Sequence, residues 1–340
     1  MYKCGYIAER RIIMAIDRTA DMSTEMRMKR NLMMSFIREV EKVVVGKHNE
    51  TVLLVSAMLA GGHVLIEDVP GVGKTTLAHA LAKCAGLKFR RAQFTPDVLA
   101  SDITGFNIYN RAKETFEFRE GLVMCNIFLA DEINRASPKT QSALLEAMEE
   151  GQVTVDGKTY PIPSPFIVIA TQNPAGFVGT YPLPEAQMDR FSLRLSMGYP
   201  TVEEELSIIL SRKDSNPLDA LEPVIGIDDI KEISAIVSNI ELPAEVSKYI
   251  VKLVAATRNS KYISLGASPR ASLALMRISK AYAFLRGKDY VTPEDVSYVF
   301  KPVVSHRIVL GQEARLAGLS VSDVLDKVSH EVEVPYRNGR

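Results

Sequence analysis

The sequence predicts an α/β fold, a buried parallel sheet carrying two β-hairpin inserts, followed by an all-α second domain. Three observations predict it. Residues 63–67, 126–130 and 166–170 are short, continuously apolar runs that each end in polar residues. Two further segments alternate apolar and polar residues about turn signals. Beyond Tyr199 the pattern becomes helical. Apolar runs without alternation suit strands covered on both faces, as in a parallel sheet. In such sheets ligands gather at the carboxyl ends of the strands, where all three runs turn polar.

In chain order, residues 1–30 read as a flexible leader, with Met14, Met22, Met26 and Met28 as alternative starts. Residues 31–199 form the expected α/β core. Its first strand, 63–67, meets a glycine-rich turn and a helix over 76–84. A hairpin pairs 106–110 with 115–118. Ser137 and Pro138 supply an N-cap and first helical residue, and Gly151 a stop, for a helix burying Ala143, Leu144, Ala147 and Met148. A second hairpin pairs 152–155 with 158–162 across Asp156-Gly157, a strong two-residue turn signal. Tyr199-Pro200-Thr201 marks the boundary to a helical domain over 200–340, with helices over 203–211, 230–237, 244–258, 271–285 and 293–304. Thr292, Pro293, Glu294 and Asp295 give the last of these a well-formed start.

Bulk properties narrow the function classes. Lys+Arg and Asp+Glu are both 41, so the chain lacks the basic excess of a typical nucleic-acid binder. Cys4, Cys84 and Cys125 show neither a disulfide framework nor zinc spacing, which points to reduced thiols in the cytoplasm. The longest apolar stretch, 52–66, is broken by Gly61, Gly62 and His63 and is shorter than the roughly 20 residues of a spanning helix, so no membrane insertion is expected.

The chemistry concentrates at strand ends. Pro70, Gly71, Val72, Gly73, Lys74, Thr75 and Thr76 link a strand to a helix. Backbone N–H groups converging on a phosphate need small residues, which Gly71 and Gly73 supply. Lys74 can reach the β- and γ-phosphates of ATP, and the Thr75 hydroxyl can hold Mg2+. Asp68 stands where the strict phosphate-loop pattern has its first glycine. A second strand ends in Asp131 and Glu132, two carboxylates costly to bury without a cation or water. Asp131 is the expected Mg2+ ligand and Glu132 the group that orients and deprotonates the attacking water. Asn173 ends the third strand, either as a contact to the γ-phosphate and that water or as a turn residue before Pro174. Arg190 and Arg270 are either phosphate-stabilising cations or surface salt-bridge partners.

The ordered set Lys74-Thr75, Asp131-Glu132, Asn173, Arg190 and Arg270 resembles the working parts of an AAA+ ATPase. The finer text, over residues 62–75, 93–97, 101–105, 131–136, 141–149, 170–174 and 183–191, resembles the MoxR family. The resemblance runs from about Asn31 onward. It implies a P-loop AAA+ core with a helical lid, in the clade of magnesium-chelatase motor subunits and MCM helicases, whose hairpins face a ring's central pore and touch the client. It also implies that Val45 and Gly46 line the adenine pocket, that Arg190 is an arginine finger given to the neighbouring subunit, and that Arg270 is a second sensor acting in cis or in trans. An acid at the position of Asp68 is common in MoxR-like chains. The expected function is a cytoplasmic, chaperone-like Mg-dependent ATPase, working as a homo-oligomeric, hexameric ring on a client protein. A separately encoded von Willebrand factor A domain protein is the expected partner. A DNA-acting motor and a nucleotide-gated scaffold are the alternatives, and the neutral charge balance counts against nucleic acid.

Overall fold

The computed structural model describes residues 23–69, 71–172, 181–211, 213 and 216–335. They divide into two compact units, one spanning 36–230 and the other 231–335 together with 23–35. In chain order the elements are α1 (Thr24–Glu41), α2 (His48–Leu59), β1 (Val64–Glu67), α3 (Lys74–Cys84), β2 (Phe89–Gln93), α4 (Ala100–Thr104), β3 (Gly105–Asn110), β4 (Thr115–Glu120) and β5 (Ile127–Asp131). Next come α5 (Pro138–Glu150), β6 (Gln152–Val155), β7 (Lys158–Pro161), β8 (Ile167–Gln172), α6 (Glu185–Met188), β9 (Leu193–Leu195) and α7 (Val202–Ser211). The chain continues through α8 (Ile227–Ser238), α9 (Ala244–Asn259), β10 (Ile263–Leu265), α10 (Pro269–Leu285), α11 (Pro293–Val304), β11 (Val309–Leu310), α12 (Gln312–Leu316) and α13 (Val321–Glu331). Among the described residues no helix is long and apolar enough to cross a membrane.

The α/β unit is built on a parallel sheet of strand order β2-β5-β8-β1-β9. The three expected strands are its centre. Every residue of β5 is buried, and β1 and β8 are buried except at their last residues, which are half-buried. The two edge strands do not show in the hydropathy. β2 reads Phe-Arg-Arg-Ala-Gln, with charge where an edge strand discourages further pairing, and β9 has only three residues.

Both hairpins form. Asp156 and Gly157 both take positive φ, 49° and 77°, as a tight two-residue hairpin turn requires. The hairpins lean on one another. Phe118 of β4 stacks on Tyr160 of β7 at 3.8 Å, and Asn107 Nδ2 donates to Asp156 Oδ2 at 2.8 Å. Helix α5 starts and stops as its sequence dictates, with the Ser137 hydroxyl accepting from Thr140 N–H and Gly151 at φ 62°.

His63 ties three of these pieces together from the residue before β1. Its Nδ1 accepts from Val168 N–H of β8 at 3.0 Å, which leaves Nε2–H to donate to the Met148 carbonyl of α5 at 2.9 Å. Full burial pushes its pKa down to about 4, against the weaker upward pull of the Met148 carbonyl.

Two expected boundaries shift. The expected leader ends at residue 30, yet residues 24–30 lie in α1. There Arg30 is buried with Nε donating to the Leu285 carbonyl at 2.9 Å, and Lys29 pairs with Glu232. The compact units divide after Ile230 rather than at Pro200. The intervening segment packs on the sheet-bearing unit: Lys83 Nζ donates to the carbonyls of Leu218 and Asp219, and Val224 N–H donates to the Cys84 carbonyl at 2.7 Å. In the other unit Asp295 closes the start of α11, accepting from Thr292 N–H at 2.9 Å and pairing with Arg286 and Lys288.

Candidate functional site

A cleft of about 300 Å³ opens at the carboxyl ends of the central strands. Gly71, Gly73, Lys74, Thr75 and Thr76 line it from the β1–α3 turn, and Arg91, Gln93, Asp131, Glu132 and Thr171 from the sheet. The turn depends on glycine for its backbone more than for space. Gly71 and Gly73 sit at φ 89° and 95°, and a Cβ at Gly71 would meet nothing within 4 Å. Lys74 is the first residue of α3, so the free N–H groups of the helix start face the same cleft. Its side chain is buried, with Nζ donating to the Asp68 carbonyl at 2.8 Å. Burial pulls the Lys74 ammonium below the usual lysine value, while Asp68, Asp131 and Glu132 oppose that shift.

Asp68, the departure from the strict loop pattern, has a structural task. Its Oδ2 accepts from Met197 N–H at 2.6 Å, Gly198 N–H at 2.7 Å and Ser196 Oγ at 3.1 Å, and its Oδ1 from Val69 N–H at 2.8 Å. The carboxylate thus pins the phosphate loop to the chain leaving β9. A glycine there could not make these bonds.

Asp131 and Glu132 are organised by a residue outside the expected site set. The Thr171 hydroxyl of β8 donates to Asp131 Oδ1 at 2.9 Å and accepts from Glu132 N–H at 2.9 Å. That second bond helps hold Glu132 at φ 55° and ψ 49°, a left-handed conformation uncommon for a side-chain-bearing residue and frequent at functional sites. Arg135 Nη1 lies 3.0 Å from Glu132 Oε2. Arg91 reaches Asp131 Oδ2 with Nε at 2.8 Å and Nη2 at 2.7 Å. The hard oxygen donors, the Asp131 carboxylate and the Thr75 hydroxyl, line one cleft with a lysine and a helix start. That set fits a magnesium nucleotide.

Comparison with known proteins agrees with this geometry. The family model described as the ATPase family associated with various cellular activities matches residues 63–193, and the AAA lid domain matches residues 255–328. The chaperone MoxR1 of Mycobacterium tuberculosis is 41% identical over 89% of this chain and 82% of its own length. The chain belongs to the MoxR family of AAA+ ATPases. The YeaC protein of Bacillus subtilis is 49% identical over 88% of this chain and 94% of its own. A crystal structure from Cytophaga hutchinsonii, assigned as an ATPase, matches with a TM-score of 0.84 at 41% identity, over 92% of this chain and 97% of that one. A MoxR-type AAA+ protein binds a nucleotide and hydrolyses ATP, and its relatives include a named chaperone.

Val45 and Gly46, expected from the MoxR resemblance, are not among the described residues lining this cleft. Arg190 is not among the described residues lining it. Its Nη2 sits 3.3 Å from Glu149 Oε2, and it lines a second cavity of about 380 Å³ with Ser142, Glu146, Glu149, Glu150 and Gln187. Val45 and Gly46 lie in the turn between α1 and α2, where Gly46 takes φ 76° and a Cβ would overlap the Glu204 carboxylate. Arg270 occupies the first turn of α10 in the helical unit, after an N-cap at Ser268. Asn173 and Pro70 lie outside the described residues. Thr171 could have been found from the sequence, since it precedes Gln172 and Asn173 at the end of an apolar run. Arg91 could not, because only the register that pairs Gln93 with Asp131 brings β2 beside β5.

Proposed function

We propose that this chain is a cytoplasmic Mg-dependent ATPase that hydrolyses ATP at the subunit interfaces of a homo-oligomeric, hexameric ring to remodel or activate a client protein complex. Complex assembly and metal-cofactor insertion are the kinds of work this reading has in view. The observation that carries the proposal is the convergence of Lys74, Thr75, Asp131 and Glu132 on one cleft while Arg190 lines another. Gly71, Val72, Gly73 and Thr76 with Pro70 enclose the phosphates, Lys74 neutralises the β- and γ-phosphate oxygens, and Val45 and Gly46 take the base. Thr75 and Asp131 hold the cation. When bound, Mg2+ supplies charge neutralisation at the transferring phosphoryl group. Glu132 orients the attacking water and accepts its proton, and Asn173 aligns that water with the γ-phosphate. Arg190 reaches the neighbouring subunit's ATP, and Arg270 serves as the second sensor in cis or in trans. Phosphoryl transfer needs positioning and electrostatic stabilisation rather than covalent chemistry, which these residue types supply.

For the client, the first hairpin supports contact with protein. Phe106, Ile108, Tyr109 and Phe116 are all exposed on it, which sets four large apolar side chains on one hairpin. A separately encoded von Willebrand factor A domain protein is the proposed partner. The test is phosphate release by the assembled protein with Mg2+, compared with Glu132→Gln. Release well above the variant supports hydrolysis at this cleft, and equal release refutes it.

A further inference from the structure

We propose that Arg91 and the divalent cation compete for one oxygen of Asp131, which makes Arg91 the positioning residue that sets the metal requirement of the cleft. This rests on the nucleotide reading above and adds a residue to it. The placement follows from the edge strand. Phe89 of β2 stacks on His79 of α3 at 5.0 Å, so alternate residues 89, 91 and 93 face α3 and the phosphate loop. Arg91 and Gln93 accordingly line the cleft.

The two oxygens of Asp131 are held differently. Oδ1 takes the hydroxyl of Thr171, which is itself fully buried. Oδ2 takes both Nε and Nη2 of Arg91. A buried carboxylate requires a counter-charge, and here a guanidinium supplies it. A cation arriving at Oδ2 meets that positive charge at the same atom, and two cations sharing one oxygen repel. Arg91 is the partner that can yield. Its side chain is 48% exposed against 10% for Asp131, and its long stem leaves it tethered to the cleft wall. Once off Asp131, the guanidinium lies beside Lys74 and Thr75, where the acceptors it suits are phosphate oxygens, which a guanidinium binds in forked geometry. Arg91 thus exchanges a carboxylate for a polyphosphate as the metal takes its place.

The experiment uses the full chain carrying Glu132→Gln to suppress turnover. Mn2+ serves as the metal probe, followed by its free-ion electron paramagnetic resonance signal in the presence of ATP. Arg91→Gln is expected to lower the half-saturating Mn2+ concentration about tenfold. Arg91→Lys, which keeps the charge but not the fork, should fall between the two. Without metal, ATP should bind more weakly to Arg91→Gln than to the parent. Should Arg91→Gln fail to give a cooperative melting curve, the Arg91→Lys shift decides. Equal Mn2+ midpoints for Arg91 and its variants would overturn this inference alone. Absence of ATP binding by the parent at every Mn2+ concentration would overturn the nucleotide reading and this inference together.

Discussion

The cleft beside Lys74 and the cavity beside Arg190 belong to the same α/β unit, yet they are finished to different degrees. In the cleft, charge is matched within one chain. Asp131 has Arg91 and Thr171, Glu132 has Arg135, and the Lys74 ammonium rests on the Asp68 carbonyl. In the cavity, Glu146, Glu149 and Glu150 share the lining with one arginine, and the ion pair that Arg190 makes with Glu149 joins two side chains each about a third exposed. An exposed pair of that kind is worth at most about 1 kcal/mol, so Arg190 is cheaply released. On the proposed reading, the contrast separates a part of the chemistry that the chain completes itself from a part that it offers to a neighbour.

Breaking the comparison begins with Arg190. Arg190→Ala should cut ATP turnover by on the order of 10³-fold while calorimetry finds ATP affinity nearly unchanged. If affinity falls in step with turnover, Arg190 belongs to its own chain's cleft and the distinction collapses. Lys74→Ala acts on the other side of it. Losing the buried ammonium should weaken ATP binding by about 100-fold or more, measured by the same calorimetry. Binding within a few-fold of the parent would remove the phosphate loop from the account.

Two smaller effects sharpen how the cleft is held. Asp68→Gly restores the strict loop pattern but deprives the Ser196, Met197 and Gly198 donors of their acceptor. A loss of about 3 kcal/mol in urea unfolding is expected, since several hydrogen bonds to a charged acceptor go at once. Unchanged or raised stability would show that the anchor is dispensable. His63 provides the pH dependence. Its folded pKa, about 4, lies below the ordinary 6.5, so the unfolded chain binds the proton more tightly. The resulting stability is fully present above pH 6.5 and is lost as pH falls through 6.5 toward 4, on the order of 3 kcal/mol in total. His63→Gln should flatten that part of the stability profile, and a variant that keeps the parent's slope would assign it to other groups.

How much could be read in advance follows from which residues carry their signal locally. The three central strands, the cap and stop of α5 and the Asp156-Gly157 turn announce themselves because their causes lie within a few residues. The edge strands do not. β2 is polar because it is an edge, and β9 is too short to show a pattern. The same split runs through the site. Lys74, Thr75, Asp131 and Glu132 sit in motifs and Thr171 adjoins one, whereas Arg91 matters only through a cross-strand neighbour far away in sequence. Asp68 departs from the strict loop pattern, and its task is visible only through its three partners beyond β9. At the second unit two signals separate for a related reason: composition changes at Pro200, whereas the packing changes after Ile230.

The central claim is that one subunit's cleft is completed by the next subunit's Arg190, and subunit mixing tests it most directly. Arg190→Ala protein keeps an intact Glu132 cleft, and Glu132→Gln protein keeps an intact arginine. Each alone should release almost no phosphate. Mixed in equal amounts and reassembled, they should recover up to about a quarter of the wild-type rate, the share of interfaces that pair a good cleft with a good arginine in a closed ring. No recovery at any mixing ratio, in assemblies shown to contain both chains, would contradict the account.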